Sequence, residues 1–257
     1  MDIFLLKKFL FLKVHSLNIG KFFKTIFRVS IFIFSYLLYL IQLILIFLNF
    51  KKLAKYLFNS SAFFCSVSLG INYCIDKNLK RSFLKKGIHI SNHDNPLDIF
   101  VAQNFFKIKT ITTVDQHLKK FLPFFEISLK NYGHYCFDYL NFHERKSAYL
   151  FLDQICKKEK NVLIYPSGSI YTSITERFSK SVSKLSMIHN IEVIAWKFLF
   201  DDKSNIEYDR NIGKYILKRI YSDNLVLRIE KVKVFNPNDY ENLEDLHLQL
   251  CLFYSAS

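Results

Sequence analysis

The sequence has 257 residues, 51% hydrophobic and 23% charged, which excludes a disordered chain and supplies one full-sized core, with or without an appendage. Against 22 Asp and Glu stand 36 Lys and Arg, a formal net charge of +14, which points to an anionic partner, either a membrane surface or nucleic acid. Five cysteines, odd in number and without a Cys-x-x-Cys pair, exclude a zinc ribbon and a disulfide scaffold and fit a reducing compartment.

In the first 28 residues Lys13, Leu17, Lys21, Lys24 and Arg28 recur at three- and four-residue steps, while Phe22, Phe23, Ile26 and Phe27 fall largely elsewhere. The spacing predicts an interfacial helix, its basic face on lipid headgroups and its apolar face in the acyl boundary. Residues 29–50 follow without a charge, long enough for a bilayer core of about 30 Å. The run is too long for a secretory signal and has no small-residue cleavage site behind it. A second, weaker uncharged stretch covers 56–75; its start reads as a helix turning back and its end as a strand. Six basic groups precede the apolar run and eight lie in residues 51–86, so a single crossing would break the positive-inside rule. A hairpin or monotopic anchor keeps both clusters on the cytoplasmic side. The expected organisation is therefore a membrane-embedded helical unit over residues 1–69 and a globular domain over 70–257.

Beyond residue 70, short apolar runs alternate with charged helical patterns. Strands are expected at 88–90, 108–114, 162–165, 191–200 and 224–235, helices at 97–106, 144–158 and 179–189, and a closing helix after Asn238. The alternation predicts an α/β domain with a mixed, largely parallel sheet flanked by helices.

The sharpest local signal is Ile-Ser-Asn-His-Asp-Asn-Pro-Leu-Asp-Ile at residues 90–99, where a strand ends and a helix begins. His93 and Asp98 are spaced as a general base and the carboxylate that orients it. Capping chemistry alone accounts for Asn95 as N-cap, Pro96 at the first helical position and Asp98 near the helix N-terminus, but it leaves His93 unexplained. His143-Glu144 reads as a helix start, His117 and His134 as surface or packing residues, and Cys74 and Cys136 as buried packing residues. No metal-ligand spacing and no Gly-rich nucleotide loop is visible. No nucleic-acid-binding motif organises the basic residues.

The Ser-Asn-His-x-x-x-x-Asp pattern behind an N-terminal membrane segment resembles the glycerolipid acyltransferases, best known for the 1-acylglycerol-3-phosphate (lysophosphatidate) acyltransferases. Leu-Lys-Lys-Phe-Leu-Pro-Phe-Phe at 118–125, followed by Gly-His-Tyr-Cys-Phe-Asp-Tyr at 133–139, is similar to the family's second block, which ends Gly-x-x-x-x-Asp-Arg. Val-Leu-Ile-Tyr-Pro-Ser-Gly-Ser at 162–169 is similar to the third block, usually Phe-Pro-Glu-Gly-Thr-Arg, with Phe178-Ser-Lys180 after it. Residues 191–195 stand where the family has an Ile-Val-Pro-Val strand.

The resemblance implies that His93 and Asp98 are catalytic and that Asn92, Tyr139, Ser167, Gly168, Ser169, Arg177 and Lys180 bind substrate. It implies acyl-CoA or acyl-carrier protein as donor substrate, with no bound cofactor or metal, and a lysolipid acceptor among the membrane lipids. The expected location is the cytoplasmic face of the inner (plasma) membrane. The chain departs from the pattern at Ser167, which replaces Glu, at Ser169-Ile170, which replace Thr-Arg, and at Tyr139, which replaces Arg. Those arginines are associated in the family with the acceptor phosphate, so a phosphomonoester acceptor is less well supported. The rival expectation is a degenerate relative that binds lipid or acyl chains, or remodels membranes, without turnover.

Overall fold

The computed structural model describes residues 19–74, 79, 85–93, 95–98, 104, 110–115, 124–138, 140–167, 178–201 and 212–255. The first half of the expected interfacial helix lies outside the described residues.

Helix α1 (Ile19–Phe47) is continuous for 29 residues. No proline and no internal glycine interrupts it, so the amphipathic turns before Val29 and the apolar run after it form one rod. It stops at Asn49, whose left-handed conformation (φ 64°) suits an asparagine at a helix end. Helix α2 (Lys51–Ser68) then runs back along α1. Two serines allow close approach: Ser35 Oγ donates to the Ser61 carbonyl at 2.7 Å, and Ser61 Oγ donates to the Ser35 carbonyl at 2.9 Å. On the outer side Ile33, Leu37, Ile41 and Ile44 are all exposed, a stripe at helical spacing. Gly20–Phe47 is long and apolar enough to cross a membrane, and only 22% of its most apolar stretch is buried inside the protein, unlike a soluble core helix.

Seven strands form one sheet: β1 (Ile71–Cys74), β2 (Ile88–Ser91), β3 (Thr110–Asp115), β4 (Tyr135–Phe137), β5 (Asn161–Ile164), β6 (Val193–Asp201) and β7 (Leu225–Phe235). Their order is β1-β7-β6-β2-β5-β3-β4, with every pair parallel except β6–β7. The mixed, largely parallel α/β sheet is thus as expected. Residues alternate between two buried faces, which is why the central strands read as unbroken apolar runs. Ile88, Ile90, Val162, Ile164, Val193 and Ala195 join one core with helices α4 (Phe142–Lys157), α5 (Ser181–His189) and α7 (Leu243–Ser255). Leu163, Ile194 and Trp196 join the other with the end of α2, Leu97 and helix α6 (Ile212–Tyr221). A third cluster packs Tyr39, Leu43 and Phe58 of the hairpin against helix α3 (Phe125–Tyr132) and Val114. Helices α3 and α6 and the three-residue β4 were not among the elements expected from the sequence.

Arg28 corrects the sequence reading. Instead of facing headgroups it is 4% exposed and caps the end of α6. Its Nη1 donates to the carbonyls of Arg219 and Ile220, both at 3.2 Å, and of Ser222 at 2.6 Å; Nη2 donates to Asn224 Oδ1 at 2.5 Å. The last carbonyls of a helix have no intrahelical partner, and a guanidinium supplies several donors at once. The guanidinium lies flush against Gly70 (φ 70°), where an added Cβ would sit 1.8 Å from Nη2. Cys74, expected to be buried, is exposed near the sheet edge.

Two buried histidines are structural. His89 accepts from Trp196 Nε1–H at 3.1 Å through Nδ1, and its Nε2 faces the Lys85 carbonyl at 2.9 Å. His134 Nδ1 accepts the Thr112 N–H at 3.1 Å, and its ring stacks on Tyr132. Burial pushes both pKa values down to about 4, and Lys55 adds to the effect at His134.

Two predictions follow from this packing. Arg28→Ala is expected to destabilise the protein by at least about 2 kcal/mol, and Arg28→Lys to recover only part of that, measured by thermal melting in detergent. The histidines favour the neutral form when folded, so their contribution is complete above an unfolded pKa near 6.5 and is lost as pH falls toward 4. Each contributes up to roughly 3 kcal/mol, so melting at pH 5 should fall well below that at pH 7.5, and His134→Gln should flatten the slope.

Candidate active site

Strands β2 and β5 lie side by side, Ile90 opposite Ile164, and both chains leave the sheet at the same edge. The segment after β2 packs Leu97 into the core shared with α6, on one face. The chain after β5 places Val182 and Leu185 of α5 in the core on the opposite face. Adjacent parallel strands whose connections leave to opposite sides open a crevice at their carboxyl ends, the usual ligand position in an α/β sheet. His93 stands at the rim of that crevice, two residues beyond β2.

His93 Nδ1 lies 2.9 Å from Asp98 Oδ2, with side chains 26% and 4% exposed. The same carboxylate meets both the imidazole and the backbone of the turn at residues 95–98. Asn95 Oδ1 accepts the Leu97 N–H at 2.9 Å, as an N-cap does, and Asp98 Oδ2 accepts the Asn95 N–H at 3.3 Å, reaching back as in a capping box. The turn at residues 95–98 therefore also fixes the carboxylate that receives the imidazole. In the neutral tautomer that donates Nδ1–H to Asp98, the lone pair is on Nε2, which has no hydrogen-bond partner among the described residues. Such a nitrogen can take a proton from a bound hydroxyl.

Two tyrosines missed in the sequence surround the pair. The Tyr165 ring lies 4.5 Å from the His93 ring, tilted by 30°, and its hydroxyl donates to the Asp98 carbonyl at 3.3 Å. Burial, reinforced by the Asp98 carboxylate, holds the Tyr165 phenol well above its usual range, so it remains a neutral donor. Tyr215, on α6, donates to Asn95 Oδ1 at 3.4 Å. Tyr165 reads in sequence as the end of an apolar strand, and its Tyr-Pro step is the one available signal.

Among the residues expected to bind substrate, Asn92 is 4% exposed and does something else. Its Nδ2 donates to the Phe198 carbonyl and its Oδ1 accepts the Phe198 N–H, both at 2.8 Å, which clamps the end of β2 to β6. Ser167 is 1% exposed, beside Pro166 at the turn after β5. The Lys180 ammonium is engaged on the surface by Glu244, at 2.7 and 2.8 Å from its two carboxylate oxygens. Tyr139, Gly168, Ser169 and Arg177 lie outside the described residues, as does His117. Asp138 has a turn role: Oδ1 accepts the Leu140 N–H at 2.9 Å, and its own N–H goes to Glu144. Asn141 caps α4 through the His143 and Glu144 amides, so His143-Glu144 is a helix start, as expected. Among the described residues no cluster of His, Cys, Asp or Glu could hold a metal ion.

Residues 71–195 match the family model described as Acyltransferase. No curated protein matches the sequence significantly. The fold is similar to the crystal structure of the 1-acyl-sn-glycerophosphate (LPA) acyltransferase PlsC from Thermotoga maritima, with TM-score 0.60 and 12% identity over 91% of this chain and 94% of that one. The His93–Asp98 pair lies inside the matched region, beyond the carboxyl end of β2. The match to the Acyltransferase model over residues 71–195 and the likeness in fold support the resemblance to the glycerolipid acyltransferases read from the sequence.

Proposed function

We propose that the protein works at a membrane surface and moves a fatty acyl group from an acyl thioester, acyl-CoA or acyl-carrier protein, to the hydroxyl of a lysolipid or glycerolipid precursor. The observation that carries this reading is the His93–Asp98 pair at the crevice between β2 and β5. Nε2 of His93 removes the acceptor's hydroxyl proton as that oxygen attacks the thioester carbonyl. The tetrahedral oxyanion then collapses, the C–S bond breaks, and the departing thiolate takes the proton back from Nε2. Asp98 keeps the imidazole in the required tautomer and stabilises the imidazolium in between. No acyl-enzyme is needed, and no Ser or Cys is hydrogen-bonded to His93 among the described residues.

The acceptor is a lysolipid or related alcohol, and one without a phosphomonoester fits best. The Thermotoga maritima protein is named for lysophosphatidate, but here Tyr139 and Ile170 stand where the family carries arginines, and a bidentate grip on phosphate is lost. The hairpin is the anchor: its open apolar stripe enters the lipid, and the basic residues at both ends favour the cytoplasmic face. The same departures also favour the rival of a lipid-binding protein without turnover, which the assay separates.

With labelled acyl-CoA or acyl-carrier protein and a panel of lysolipids, lysophosphatidate and glycerol-3-phosphate, His93→Ala should lower transfer by about 10²–10⁴-fold, and Asp98→Asn by about 10²-fold or more. If no donor–acceptor pair yields product while lipid binding survives His93→Ala, turnover is disproved and the rival stands. Leu37→Glu with Ile41→Glu, at roughly 2.5–3.5 kcal/mol per charge in lipid, should release the protein from vesicles without lowering its melting temperature in detergent.

A further inference from the structure

We propose that Tyr165 is a positioning residue for acyl transfer: its ring sets the plane of the His93 imidazole and its hydroxyl pins the backbone of Asp98. This rests on the reading of His93 as the base. The hydrogen bond from His93 Nδ1 to Asp98 restrains the ring at one atom and leaves it free to rock about the N···O line. A flat wall against the ring face removes that freedom. The Tyr165 ring provides one, with centroids 4.5 Å apart and planes 30° from parallel, within the range of a favourable offset contact.

The second restraint acts on the other partner. The Tyr165 hydroxyl reaches the Asp98 carbonyl at 3.3 Å, so a single side chain holds the base by its face and the orienting residue by its main chain. Tyr165 can do both because it is the first residue past β5, and β5 is in register with β2 (Ile90 opposite Ile164). Both residues are thus tied to neighbouring strands of one rigid sheet. In the related third block this position is usually Phe, so the hydroxyl tether is an addition of this chain. The Tyr165 ring also belongs to the core that contains Leu97 and Tyr215, which anchors the wall from behind.

The test uses the full-length protein in detergent or vesicles, with the best donor–acceptor pair found for the wild type. Tyr165→Leu should lower kcat by about 10–100-fold while KM for both substrates changes by less than about 3-fold. Tyr165→Phe, which keeps the ring and loses only the tether, should recover to within about 5-fold of wild type with an unchanged melting temperature. In a His93→Ala background, Tyr165→Leu should cause no further loss, because a residue acting through His93 has nothing left to position. The proposal is overturned if Tyr165→Leu keeps wild-type kcat, if its loss lies in KM, or if it multiplies fully with that of His93→Ala. A Phe variant equal to wild type overturns the tether. If His93→Ala itself retains activity, the general-base reading fails instead, and the two failures are distinct.

Discussion

One buried guanidinium joins the two halves of this protein. Arg28 leaves the side of a long apolar helix and ends among four acceptors at the start of the last strand, pressed against a glycine that no other residue could replace without displacing it. The hairpin is therefore docked on the domain by a directional contact as well as by greasy packing. The same contact reaches toward the chemistry. Helix α6, whose end Arg28 caps, carries Tyr215, which bonds to Asn95, and Asn95 both accepts the Leu97 N–H and donates its own N–H to Asp98. The hairpin and the His93–Asp98 pair are thus connected by consecutive hydrogen-bonded elements, so their relative position is set by the fold.

At the crevice itself, economy of groups is the governing feature. Asp98 answers a backbone N–H and an imidazole with one carboxylate oxygen. Tyr165 answers both partners of the pair. Asn92, next to His93, bonds both polar atoms of its amide to the backbone of Phe198, so the loop bearing His93 is held to β6. Preorganisation of this kind lowers the cost of ordering a polar side chain when a ligand binds.

Much of this was legible in the sequence because it rests on local spacing. The five-residue step from His93 to Asp98, the Asn95-Pro96 start and the alternation of apolar runs each encode geometry within one turn or one strand. What was hidden depends on partners far along the chain. Arg28 reads as a flanking charge until the end of α6, 191 residues on, is beside it. Asn92 looks like a substrate ligand until Phe198 claims its amide, and Tyr165 looks like the end of a strand. Helix α3 and strand β4 are too short, and too close to a proline-containing stretch, for periodicity to mark them. The antiparallel turn of β7 against β6 likewise follows from tertiary pairing and leaves no local trace.

The pairing of β1 with β7 has a consequence for how the chain is made. Ile71 lies beside Leu225, so the first strand to leave the ribosome has no neighbour until nearly the whole domain has been synthesised. Arg28 is in the same position, since its acceptors begin at residue 219. The hairpin can form from local contacts as soon as α2 is complete, whereas the sheet edge and the guanidinium lock must wait for distant sequence. Folding thus divides into an early event, the pairing of two helices, and a late one in which β7 inserts between β1 and β6. Until that late insertion, β1 has no partner and β6 is open on the side β7 will fill, so the nascent protein is most vulnerable there to pairing with a neighbouring chain.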